Sequence, residues 1–284
     1  MRNPAKPTKF GLIARAGVFA LIGILGLTLF PPLMMPVAGY VVAAALGTFA
    51  AAALANALVL RIYERGRLSD IGLGWAPASR RNLALGLLGG LAGGIVATMA
   101  PLAAGLAHYE TSGDGHAHWP GMLFVSIVLL FGAVGEEMLF RGYAFQILAL
   151  AIGEYATVLP MGVLFGLAHM NNLHITGLAI LNTVLWGVLL GAAYLRSRDL
   201  WLPIGLHFGW NWVLPLLGVN LSGFTMEVTG RVLHPDDSPL WTGGAYGPEG
   251  GLFTTMVVVA LFAALFRVPI ARQKSFLLDG ETDE

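Results

Sequence analysis

Cysteine is absent from all 284 residues. That removes disulfides, thiolate metal sites and a cysteine nucleophile, and it leaves the redox compartment unmarked. Charge is also scarce: Asp, Glu, Lys and Arg make up 11% of the chain, against about 25% in soluble domains. The few basic residues are scattered through short segments, not gathered in one stripe, so nothing points to a nucleic-acid partner. Apolar residues fill the space instead, at 56% of the sequence with a mean hydropathy of +0.73. Such a chain treats the lipid bilayer as its solvent. The expected fold class is all-α, a polytopic membrane protein forming a single transmembrane domain over 1–284.

A helix needs roughly 20 residues to cross hydrocarbon. By that length, candidate spans centre near Ile22, Leu46, Gly94, Val134, Val163, Trp186, Trp210 and Val259. The first is read as an anchor and not a cleaved signal, with Pro31-Pro32 as a turn behind it. The seventh is interrupted by Pro203 and Pro215, and the eighth is short. Loop charges test the count. With Arg2, Lys6, Lys9 and Arg15 at the N-terminus inside, the other inside segments hold Arg61, Arg65, Arg67, Arg80, Arg81, Arg196, Arg198, Arg272 and Lys274, whereas the outside loops hold Arg231. This asymmetry predicts eight transmembrane helices with both termini cytoplasmic. Two outside segments, 108–120 and about 219–250, are polar. His116 and His118 in the first read as solvated loop histidines, because two imidazoles without a fixed third ligand make a poor metal site. The 38 glycines suit close helix packing in lipid, and no repeat suggests the duplicated halves of a transporter.

One stretch stands out from this background. Within the apolar run from Gly121 to Gly153 sit Glu136, Glu137 and Arg141, each of which costs about 2.5–3.5 kcal/mol at the bilayer centre on insertion scales. Glu137 and Arg141 are four residues apart with the acid first, the favoured helical ion pair. Glu136 points about 100° further round the helix and has no local cation. It must therefore face protein or water, and an intramembrane acid of this kind marks a functional site. Phe165 and His169 share a face of the fifth span at i and i+4, and His207 and Asn211 do the same on the seventh. An unpaired glutamate, two histidines and an asparagine on separate spans can together activate a water and stabilise an oxyanion.

The set Glu136-Glu137-x-x-x-Arg141, Phe165-x-x-x-His169 and His207-x-x-x-Asn211 resembles the three motifs of the CAAX-protease and bacteriocin-processing family of intramembrane endopeptidases. The likeness covers roughly 121–217, including the approach Arg198-Asp-Leu-Trp-Leu-Pro-Ile-Gly-Leu to His207. The resemblance implies that Glu136 and His169 hold and deprotonate the attacking water, and that His207 and Asn211 steady the oxyanion. Glu137, Arg141 and Phe165 are then structural support. It also implies a peptide or membrane-protein substrate, with a prenylated C-terminus among the options, and the composition inclines toward a prokaryotic inner membrane. Glu136, His169 and His207 could alternatively hold a divalent metal such as zinc, and the metal and metal-free readings both stay open. Two rival classes are a non-proteolytic scaffold or immunity protein of the same fold and a proton-coupled carrier using the same Glu and His. Helix counting at about 1.5 Å per residue puts Glu136 and His169 about 20–25 Å deep but His207 only about 10–15 Å. Convergence is therefore expected to need a tilt or a kink, most simply at Pro203.

Overall fold

A computed structural model describes residues 7–279; Arg2 and Lys6 of the N-terminal basic cluster lie outside them. The described chain is helical except for one two-stranded ribbon. Helices α1 (Lys9–Ala38) and α2 (Tyr40–Val59) form the first hairpin. Pro31, Pro32 and Pro36 lie inside α1 and make no turn. Membrane helices tolerate proline where neighbours re-satisfy the freed backbone, and Pro31 packs against Gly47 of α2. The reversal falls at Gly39 instead, whose φ of 75° is left-handed geometry that glycine adopts without penalty.

A π-helical turn (Leu60–Glu64) and a 3-10 turn (Leu68–Ile71) lead to α3 (Pro77–Ala103) and strand β1 (Ala107–Thr111). The order then runs α4 (Trp119–Arg141), α5 (Tyr143–Ile152), α6 (Glu154–Ala168), α7 (Gly177–Ser197), α8 (Trp201–Leu216), β2 (Arg231–Pro235), α9 (Pro239–Thr242) and α10 (Leu252–Leu265). Among the described residues, five helical segments are long and apolar enough to cross a membrane: Lys9–Ala38, Tyr40–Glu64, Pro77–Ala103, Trp119–Ile152 and Gly177–Ser197. The chain is an integral membrane protein. Every expected span centre falls in a helix, but α6, α8 and α10 have only 15, 16 and 14 residues, short of the roughly 20 that hydrocarbon demands.

Proline does not break α8. Pro203 sits in its first turn, where the backbone N–H would lack a helical partner anyway, and Pro215 in its last. The helix is held instead by backbone contact with α3. Gly86 and Gly90 face Gly205 and Gly209 so closely that a Cβ on Gly90 would stand 2.2 Å from the Leu206 carbonyl oxygen. Small residues let membrane helices approach in this way when lipid offers no hydrophobic drive between them.

The helix ends make two distinct faces. On one, loops and tail interlock. The Leu200 N–H donates to Gly72 O at 2.9 Å and the Gln273 N–H to Ser197 O at 2.8 Å, while Asn82 Nδ2 donates to both Asp199 Oδ2 and Ala271 O at 2.8 Å. On the other, β1 and β2 pair antiparallel, with Ala107 opposite Pro235 and Thr111 opposite Arg231. The ribbon joins the two polar loops. Between the faces the core divides into a cluster around α1, α2 and α5 and another between α7 and α8, with Phe140 packed against both.

Candidate active site

The site begins with a break. Helix α4 starts at His118, whose Nδ1 accepts from the Gly121 N–H at 3.1 Å; this loop histidine is a helix cap. His116 sits in the same loop, its N–H donating to Asp114 Oδ1 at 2.9 Å. The helix stops at Gly142, where any Cβ would meet the Met138 carbonyl at 2.1 Å and Asn56 Oδ1 at 2.5 Å. Stopping a helix inside hydrocarbon frees backbone groups that must find partners, and Asn56 of α2 supplies them. Its Nδ2 donates to Met138 O at 3.0 Å, and its Oδ1 accepts from the Tyr143 N–H at 2.8 Å. Asn56 was not legible in the sequence as a site residue. Its only signal was being a buried polar residue in an alanine-rich span.

Just before the break, the expected ion pair forms. Arg141 Nη1 donates to Glu137 Oε1 at 3.0 Å, with side chains 1% and 0% exposed. Arg141 Nη2 donates to Gly187 O at 3.0 Å, and the guanidinium lies 4.7 Å from the centre of the Phe165 ring. Glu137 also does something the motif spacing left unassigned, because its Oε1 lies 2.9 Å from His207 Nδ1. A carboxylate only accepts, so Nδ1 of His207 carries a proton. His169 is fixed likewise: its Nδ1 lies 2.8 Å from the Phe165 carbonyl, which also only accepts. Each imidazole is thus oriented by a partner on Nδ1 and presents Nε2 to the site.

Both Nε2 atoms face the second glutamate. Glu136 Oε2 is 3.7 Å from His169 Nε2 and 3.9 Å from His207 Nε2, and this buried oxygen takes no hydrogen bond from the described residues. Phe165 forms the aromatic wall between the imidazoles, with ring centres 4.8 Å from His169 and 6.0 Å from His207. Asn211, one turn after His207, lines the same cavity of about 190 Å³. At about 30 Å³ per water, that is room for a handful of waters or a short stretch of extended chain.

Convergence does not come from a kink at Pro203. The depth count assumed spans that run straight and unbroken past the site. Helix α4 gives way to α5 at Gly142, α6 is short and ends with His169 as its C-cap, and α8 presents His207 near its middle.

The sequence also passed over Glu249. It lies in the 3-10 turn Pro248–Gly250, outside the membrane-spanning helices, yet lines the cavity. Trp210 Nε1 donates to its Oε1 at 3.1 Å, and the Ser222 N–H and Oγ donate to its Oε2 at 2.5 and 2.9 Å. Burial pushes its carboxyl above the usual glutamate range, while the Trp210 and Ser222 hydrogen bonds pull the other way. Asn182 Nδ2 donates to the Glu249 carbonyl at 2.8 Å and ties the turn to α7. A glutamate in a Gly/Pro-rich loop reads as solvated, and only the fold turns it inward.

Among the described residues, no group of three or more His, Asp or Glu is disposed to hold a metal ion. The Glu136, His169 and His207 set is close but splayed, with its atoms spaced for an intervening molecule.

Comparison with known proteins agrees with the motifs. Residues 116–213, about a third of the chain, match the family model of type II CAAX prenyl endopeptidase, Rce1-like. No curated protein and no solved structure matches the chain. The match spans α4 to α8 and contains Glu136, Glu137, Arg141, Phe165, His169, His207 and Asn211.

Proposed function

We propose that this chain is an intramembrane endopeptidase with eight membrane crossings and cytoplasmic termini, acting in a prokaryotic inner membrane. The three short helices cross where the bilayer thins to meet them, at a modest cost per ångström of mismatch. The observation that carries the catalytic reading is the spacing of Glu136 Oε2 from two imidazole Nε2 atoms, 3.7 and 3.9 Å. These gaps are too long for direct hydrogen bonds and right for groups that share a water.

Glu136 and His169 hold that water. As its oxygen attacks the peptide carbonyl carbon, Glu136 takes the proton, which is general-base chemistry worth about 10²–10⁴-fold. The carbonyl oxygen becomes an oxyanion, met by Asn211 Nδ2–H and His207 Nε2–H. His207 donates there while its Nδ1 donates to Glu137, so in this step it works as an imidazolium held between Glu136 and Glu137. The proton on Glu136 then passes to the leaving nitrogen, the C–N bond breaks, and a carboxylic acid and an amine leave. The substrate is a peptide or a membrane-protein segment, and the family match adds a prenylated tail as the alternative.

The test is cleavage of an internally quenched peptide by purified wild type and Glu136→Gln, each with and without a chelator. We expect at least a hundredfold loss in Glu136→Gln and no effect of chelation. Equal rates in wild type and variant would overturn the assignment.

A further inference from the structure

The two faces of the molecule differ sharply in basic charge. Around the interlocked loops and tail lie Arg61, Arg65 and Arg67, Arg80 and Arg81, Arg196 and Arg198, and Arg267 and Arg272. The face with the β1–β2 ribbon carries Arg231 as its basic residue among the described residues. Lysine and arginine next to membrane spans stay on the cytoplasmic side, so the ribbon face is the non-cytoplasmic one.

The cavity opens toward that ribbon face. Its walls come from the first turns of α2, beginning at Tyr40, from the outer half of α4 at Val128 and Leu129, and from the first half of α7. The chain that leads from α8 to β2 adds Leu221, Ser222, Phe224 and Met226. No residue of the interlocked face lines it. Across the mouth, the Tyr40 and Phe224 rings stack with centres 5.3 Å apart, so α2 and the 221–226 segment touch edge to edge over the site. Glu249 fastens that segment through Ser222.

Resting on the hydrolytic reading above, we propose that the site is loaded from the non-cytoplasmic side, past the Tyr40–Phe224 stack, by an extended peptide segment of a secreted or membrane-anchored protein. The cavity selects an extended segment. A space of about 190 Å³ takes a single unwound strand more readily than a helix, which with its side chains is about 10–12 Å across. The apolar rim of Val41, Val128, Leu129 and Met226 suits a segment drawn from the lipid interface. A scissile bond presented this way belongs to a chain already exported or inserted, not to a cytosolic tail.

The absence of native cysteine makes the test direct. Single cysteines are placed at Asp237 on the ribbon face, Ser69 on the opposite face and Asn172 on the cavity wall. Intact spheroplasts are then treated with small, membrane-impermeant thiol reagents. Asp237→Cys and Asn172→Cys should react from outside, and Ser69→Cys only after permeabilisation. In parallel, a membrane-impermeant quenched peptide that the detergent-solubilised wild type cleaves is offered to right-side-out and inside-out vesicles. At least tenfold faster cleavage is expected right-side-out. Reaction of Ser69→Cys from outside, protection of Asn172→Cys until permeabilisation, or cleavage confined to inside-out vesicles would each overturn the inference. If no Glu136-dependent cleavage occurs even in detergent, the hydrolytic reading fails, and the labelling pattern still decides which side the cavity opens to.

Discussion

His207 Nδ1 lies 2.9 Å from Glu137 Oε1, the same oxygen that receives Arg141 Nη1 at 3.0 Å. Glu137 is therefore more than half of an ion pair. Its Oε1 also fixes the orientation of the His207 ring, with Nδ1–H as the donor.

For Glu137→Gln we expect kcat to fall about 10–100-fold with KM little changed, the usual cost of losing an outer partner that orients a site histidine. A purely structural role would lower thermal stability and leave the activity per folded molecule unchanged, so the two measurements together separate the possibilities.

Asn56 should matter as much for stability as the charged groups do. Replacing it with leucine leaves the Tyr143 N–H and Met138 carbonyl buried without their partner, a penalty of about 1–3 kcal/mol for each group. A lowered unfolding midpoint in detergent checks this, and Asn56→Asp is expected to recover only the bond to Tyr143. An unchanged midpoint for Asn56→Leu would mean that the break at Gly142 is satisfied some other way.

Glu249→Gln changes little in size but replaces one acceptor oxygen with an amide NH₂, which cannot accept from Ser222. The 221–226 segment should loosen over the cavity. We expect KM to rise several-fold with kcat less affected, and faster amide exchange in 221–226 to accompany it. A selective loss of kcat would instead place Glu249 in the chemistry.

The β1–β2 ribbon is expected to respond to pH. His108 Nε2 and Nδ1 lie 3.1 and 3.0 Å from Glu110 Oε1 and Asp236 Oδ1, and those two hydrogen bonds raise its pKa above the ordinary histidine value. The sign follows from the folded value being the higher one. The added stability is fully present below the ordinary histidine range and fades as pH rises through the raised value. NMR titration of His108 and exchange of the β1 and β2 amides should show the ribbon loosening on the alkaline side, and His108→Gln should abolish that dependence.

Much of the site was legible because its chemistry is local along helices. Glu137 and Arg141, Phe165 and His169, and His207 and Asn211 are each four apart, and one helical turn puts such pairs on one face whatever the tertiary fold. Span positions were legible for the same kind of reason, since hydrophobic runs register with lipid. Span lengths were less so. Pro31 and Pro32 looked like a turn and lie within α1; Pro203 looked like a kink and lies in a first turn where its missing N–H does no harm.

Asn56 and Glu249 were out of reach for a different reason. Asn56 lies 87 residues from the Tyr143 N–H it satisfies, and Glu249 lies 39 from Trp210. No periodicity connects positions so far apart; only packing does.

Order along the chain is enough to place it in lipid, to locate its helices and to mark the polar residues too costly there to be incidental, because transfer free energy and the 3.6-residue turn act locally. Tertiary structure alone decided that Glu136 meets two imidazoles, that Glu137 serves His207 as well as Arg141, and that the cavity faces the ribbon. Those outcomes depend on where helices stop and how closely they pack. These are set by contacts such as Gly90 against Leu206 and Asn56 against the break at Gly142, between residues far apart in the chain.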